Sequence, residues 1–182
     1  GTFTLNNNAN LVQETDAANT GNIIVKRDSA SLMRQDYALW SSPVTGQQLQ
    51  SFSPNTLSNR FYTYNPSANN YAVVASPSTA NFEIGIGYLI RMPNNHPATP
   101  LTWTGSFLGE PNNGPYSVPV AIGTYNAIGN PYPSAIDADA FINNNGITEA
   151  LYFWRKTNNA ATSSYATYTT AGGVSNSAGD PL

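Results

Sequence analysis

The sequence predicts an all-β protein: an antiparallel β-sandwich, jelly-roll-like, with one short helix near residues 135–143. Three observations lead there. The residues available for a core are largely β-formers, with 11 Tyr, 7 Phe and 3 Trp among 182 residues besides many Val, Ile and Thr. Short apolar/polar alternations recur along the chain. The clearest is LTWTGSFL, residues 101–108, where Leu101, Trp103 and Phe107 share a face with Gly105 between them. Turn clusters, and not long helical patterns, separate these runs: Ser53-Pro54-Asn55, Asn65-Pro66-Ser67, Pro93-Asn94-Asn95, Pro111-Asn112-Asn113-Gly114 and Asn158-Asn159.

Taken in order, residues 1–27 hold short alternating runs at 2–5, 10–12 and 23–27, split by Asn and Gly. They fit either the last rungs of a β-solenoid or the first strands of a sandwich. The chain is accordingly divided into N-terminal strands, 1–27, and a sandwich module, 28–182. Further strands are predicted over 32–41 (LMRQDYALWS), 60–64 (RFYTY), 71–75, 87–92 (GYLIRM), 101–108, 116–122, 125–129, 150–156 (ALYFWRK) and 165–170. The helix is read in PSAIDADAFINNNG. Ser134 and Asp137 form an S-x-x-D start, Ile136 and Ala140 share one face, and Asn143 to Gly146 supply a stop.

Composition excludes several classes of function. Only 9% of residues are charged, against about 25% in ordinary soluble domains. Net charge is −3, and the longest basic runs are the pairs Lys26-Arg27 and Arg155-Lys156, so the electrostatic footprint of a nucleic-acid binder is missing. No apolar run reaches the ~18 residues of a membrane-spanning helix. With no Cys, disulfides and thiolate metal sites are ruled out. A polar, nearly uncharged surface on a β-rich chain suits a bacterial surface or secreted protein.

The motifs that could carry chemistry are few. Asp137 and Asp139 are weak calcium candidates. No Glu closes their loop in the EF-hand manner, and two residues apart on a helix they point in different directions. They read first as the start of the capped helix, and no cofactor is expected. His96 is the only histidine and lies in Asn94-Asn95-His96-Pro97, a loop, which excludes a multi-histidine metal site and leaves a Ser-His-Asp triad little to work with. Glu14, Glu83, Glu110, Asp137, Asp139 and Glu149 form no suggestive glycosidase pair. Glu83-Ile84-Gly85-Ile86-Gly87 lacks the third glycine of a dinucleotide fingerprint and reads as a turn entering a strand. No catalytic residue is assigned. The aromatic residues are ambiguous: Trp40, Trp103, Trp154 and Tyr152 are the candidates for stacking on sugar rings, with Tyr62, Tyr64, Tyr165 and Tyr168 beside them, but in a β-domain such rings are commonly core.

The stretches DYALWSSPV, LSNRFYTYN, GYLIRMPNNHPAT, GEPNNGPY, YNAIGNPYPSAIDADAFI, ITEALYFWRKTN and SYATYTTAGG together resemble a module of large secreted and cell-surface proteins of flavobacteria and their relatives, exported by the type IX secretion system. The resemblance covers nearly the whole chain. It implies export to the extracellular space or outer cell surface and an adhesin-like or matrix role, and it supplies no catalytic residues. The sorting domain of such proteins is absent from this stretch. The expectation is therefore a piece of a larger polypeptide, with the sandwich module incomplete at its C-terminal end. Bacteria of that group attach O-glycans at Asp-Ser/Thr followed by a small residue, so the resemblance makes Ser29, in Asp28-Ser29-Ala30, a glycosylation candidate in an expected exposed turn. The expected function is a non-catalytic extracellular module for adhesion or structural display, its partners glycans, other surface proteins or the remainder of its parent chain. The alternative is a carbohydrate-binding module of a polysaccharide-degrading enzyme.

Overall fold

The computed structural model describes residues 2–156 and 165–175. In chain order the elements are β1 (Thr4–Leu5), β2 (Ile23–Leu32), β3 (Tyr37–Trp40), β4 (Val44–Thr45), α1 (Leu49–Phe52), β5 (Phe61–Asn65), β6 (Asn70–Val73), β7 (Tyr88–Arg91), β8 (Leu101–Pro111), α2 (Ala138–Asn144), β9 (Leu151–Trp154), β10 (Tyr165–Thr169) and β11 (Gly172–Val174). The first sheet has the order β1-β2-β8-β4, the second β3-β7-β5-β6, and the third β11-β10-β9. All pairings are antiparallel except β1 with β2. This is the predicted antiparallel architecture, with no barrel closed among the described residues. No helix among the described residues is long and apolar enough to cross a membrane.

The first two sheets face each other across one apolar core. The first sheet contributes Leu5, Ile23, Val25, Val44 and Phe107, and the second contributes Trp40, Phe61, Tyr88 and Ile90. Leu49 and Phe52 of α1 and Phe82 fill the space between them. Phe52 stacks on Phe107 at 4.4 Å and meets Trp40, Phe82 and Trp103 edge-on at 5.2, 5.3 and 5.4 Å. These offset and edge-to-face contacts are the geometries that aromatic quadrupoles favour. The alternation of β8 holds to its end, with Gly105, Phe107, Gly109 and Pro111 all turned inward. Glycine is required at 105 because a Cβ there would lie 2.6 Å from the Phe52 ring.

Polar side chains complete the backbone pairing where strands end. Past the two residues of β4, Gln47 Oε1 accepts from Leu108 N at 2.7 Å, replacing a strand partner for β8. Asn112 is fully buried: it accepts from Thr45 Oγ1 at 2.7 Å and donates from Nδ2 to Pro131 O at 2.9 Å and Ser42 O at 3.4 Å. Arg27 donates to Ala9 O and Pro133 O at 3.1 and 3.2 Å, tying the N-terminal segment and the 130s loop to β2. Strand β2 runs through residues 27 and 28, and both halves pair with β8, so a boundary after residue 27 cuts a strand.

Several expected elements differ. The run 32–41 is not one strand. Asp36 Oδ2 accepts from Met33 N at 2.8 Å, and the resulting turn carries the chain from the first sheet to the second. Residues 116–122 and 125–129 form no strand beyond a single bridge between Ile86 and Ile128, because Pro115 and Pro119 remove backbone donors there. The helix starts later than read. Asp137, not Ser134, is its N-cap, accepting from Ala140 N at 2.9 Å, and Asp139 sits in the first turn.

Candidate functional site

The outer face of the second sheet is lined with rings and carries two guanidiniums. In β5 the buried residue is Phe61, and the opposite parity puts Tyr62 and Tyr64 outward. Register carries that face across the sheet: Tyr64 lies opposite Tyr71, Tyr62 opposite Leu89, and Tyr37 opposite Arg91. Arg60 precedes β5 on the same parity.

The third sheet adjoins this face through its aromatics. Just before β3, Asp36 O accepts from Met92 N at 2.9 Å. The pleat therefore points Tyr37 O off the free edge of β3, where Trp154 Nε1 donates to it at 2.8 Å. Lys156 pairs with Asp36 at 3.9 Å beside it. Three edge-to-face ring pairs follow: Trp154 with Tyr165 at 5.1 Å, Tyr152 with Tyr125 at 5.5 Å, and Tyr64 with Tyr71 at 5.2 Å. Burial pushes the Tyr71 phenol well above its ordinary pKa, helped by a hydrogen bond with Tyr165. Tyr125, Tyr152 and Tyr165 stay 58%, 45% and 36% exposed, so the rings form a surface and not a second core.

At the other end of the face, Arg60 Nη1 donates to the Tyr62 hydroxyl at 3.2 Å and Arg91 Nη2 to Asn94 Oδ1 at 3.5 Å. Tyr37 and Tyr62 meet edge-on at 5.9 Å. Burial, and then Tyr62, raise the Tyr37 pKa, while both guanidiniums pull it back. The Nε atoms of Arg60 and Arg91 are buried without an acceptor, and neither guanidinium has an ion-pair partner among the described residues.

The sugar-stacking candidates separate. Trp154 and Tyr152 fall on this face. Trp40 is a core residue at 7% exposure, and Trp103 packs on the core with its ring 5.6 Å from that of Trp40, so neither joins the surface. Tyr168 belongs elsewhere, donating to Asp139 Oδ1 at 3.1 Å. Sequence reasoning passed over Tyr37, Tyr71, Tyr125, Arg60 and Arg91. The parity of Arg60, Tyr62 and Tyr64 was the signal available for the arginine.

The remaining candidates carry structural hydrogen bonds. Ser29 lies in a β-bulge of β2 between Asp28 and Ser31, and not in an exposed turn. Its half-buried hydroxyl donates to Ala30 O at 2.7 Å and accepts from Trp103 N at 3.0 Å. Asp28 accepts from Thr104 Oγ1 at 2.6 Å. Asp137 and Asp139 are engaged with Ala140 and Tyr168, and no group of three or more metal-ligating side chains gathers among the described residues. His96 lies in a loop, as expected, and is buried there.

A two-sheet antiparallel sandwich with a third, ring-bearing sheet at its side is the class of domain these elements define. The chain belongs to the family DUF8693, a domain of unknown function, whose model matches residues 1–180. No curated protein and no solved structure matches it.

Proposed function

We propose that this domain is a non-catalytic extracellular module of a large surface or secreted bacterial protein, of the kind exported by the type IX system, and that it serves adhesion or structural display. The tyrosine face carries this reading. Tyrosine offers a large, rigid contact area with a polar tip at low entropic cost, which suits recognition of wet, polar surfaces. Three side chains able to do acid–base chemistry are committed to the fold: His96 to two backbone carbonyls, Asp137 to the α2 cap and Asp28 to Thr104. Glycans on a neighbouring surface are the favoured partner, with other surface proteins or the rest of the parent chain as the other partners in view.

A second reading, a carbohydrate-binding module attached to a polysaccharide-degrading enzyme, is favoured by the adjacent Trp154 and Tyr165 rings. Both readings are tested by applying the purified domain to a glycan array and then incubating it with each bound glycan. Retention without any cleavage product is expected. Product release that disappears on changing a single carboxylate refutes the non-catalytic reading.

A further inference from the structure

We infer that Arg60 and Arg91, with the hydroxyls of Tyr37 and Tyr62, form a receptor for a carboxylate or sulfate group borne on a sugar, so that the glycan taken by the tyrosine face is an acidic polysaccharide. The inference rests on the reading of that face as a glycan-recognition surface. The chain has only 7 basic residues, yet two of them act on a single hydroxyl, that of Tyr37. Neither guanidinium is neutralised by a carboxylate among the described residues; Asp36, next in sequence to Tyr37, pairs with Lys156 instead. Among the described residues each guanidinium has a single protein acceptor, Tyr62 for Arg60 and Asn94 for Arg91, leaving Arg60 Nη2 and Arg91 Nη1 to take a ligand. The planar fork of arginine matches the paired oxygens of carboxylate and sulfate, where two parallel charge-assisted bonds form.

Ring contact and anion contact meet at one residue. The Tyr37 carbonyl holds the Trp154 indole, while the Tyr37 hydroxyl feels both guanidiniums. The net charge of −3 opposes indiscriminate attraction of a polyanion, so retention of one must come from a local site.

The test is titration of the domain with polygalacturonate, dextran sulfate, uncharged dextran and polyglutamate at low salt. Three proteins are compared: wild type, Arg60→Gln/Arg91→Gln and, as a charge control elsewhere, Lys26→Gln. The expected result is binding of polygalacturonate or dextran sulfate at least tenfold tighter than dextran or polyglutamate. The double variant should lose at least tenfold with an unchanged melting temperature, while Lys26→Gln stays within twofold. Dextran bound equally well by wild type and double variant overturns the anion receptor and leaves glycan recognition standing. Polyglutamate bound as tightly as the acidic sugars overturns the inference in favour of a plain charge site. Retention of none of the polymers overturns the receptor and the glycan reading together. If the double variant melts early, Arg60→Lys and Arg91→Lys take its place, since they keep the charge and lose the fork. At least threefold weakening is then expected, and none overturns the proposal.

Discussion

The imidazole Nε2 of His96 lies 2.9 Å from the carbonyl oxygen of Leu32, and the same nitrogen lies 3.1 Å from Leu101 O. Leu32 and Leu101 are the last register partners of β2 and β8, so one side chain closes the end of the longest ladder in the fold. Both partners are acceptors, which fixes the proton on Nε2. Replacing His96 with Ala withdraws the shared donor from the buried Leu32 carbonyl and the part-buried Leu101 carbonyl, and is expected to cost about 1–3 kcal/mol in urea unfolding. His96→Gln, which can still donate, should recover part of the loss. A His96→Ala protein as stable as wild type would show that the bond contributes nothing.

Gly105 and Phe52 are coupled. Ala at 105 forces its Cβ against the Phe52 ring, and overpacking of that kind costs about 1–3 kcal/mol. Phe52→Leu alone removes ring contacts to Trp40, Phe82, Trp103 and Phe107. In the double variant the smaller side chain makes room for the methyl group, so the combined loss should fall short of the sum. Strict additivity in chemical denaturation would contradict the close approach.

Asn112→Asp keeps the shape of the side chain but removes both Nδ2 donors and buries a carboxylate against the carbonyls of Ser42 and Pro131. The buried charge is disfavoured, so the folded-state pKa of the new carboxyl rises above its unfolded value. A group shifted that way contributes stability at low pH that is lost as pH rises through the folded-state pKa. The variant should therefore be much weaker than wild type at pH 7 and recover part of the difference on mild acidification. Thermal melts from pH 7 down to 4 check this, and a pH-independent deficit contradicts it.

How far the sequence foretold these sites depended on how local each determinant was. Strand β8 was legible because its alternation is strict and its inward glycines fit a crowded aromatic core. The single run read across 32–41 failed because one carboxylate, that of Asp36, folds the chain back at Met33. The residues at 116–129 look β-forming by composition, but their neighbouring prolines decide otherwise. Helix α1 has no side-chain cap and only 4 residues, so it owes its existence to the burial of Leu49 and Phe52, which periodicity cannot reveal. Ser134 was read as the cap and Asp137 as its partner in the first turn, and three positions separate the expected start from the observed one. For the site, composition supplied the rings but could not sort Trp40 from Trp154. That distinction is made by which face of which sheet each one occupies.

Tyrosine ionisation should mark the limit of the fold at alkaline pH. Tyr71 and Tyr88 are both raised, chiefly by burial. A raised folded-state pKa leaves stability intact below the unfolded value of about 10 and erodes it above, as the unfolded chain releases protons that the folded one retains. Melting temperature should hold steady through neutral pH and fall above pH ~10. Tyr71→Phe should show a shallower fall. A Tyr71→Phe variant with the wild-type alkaline slope contradicts the assignment.

Recognition at the tyrosine face is tested most directly by one comparison: calorimetric titration of wild type and of Tyr125→Ala/Tyr152→Ala with a glycan retained on the array. These two rings are 58% and 45% exposed and face each other edge-on, so their removal should leave the core untouched. The predicted result is affinity reduced at least tenfold, consistent with about 1.4 kcal/mol or more of lost ring contact, with melting temperature within a degree or two of wild type. Unchanged affinity in a folded double variant contradicts a binding role for this face.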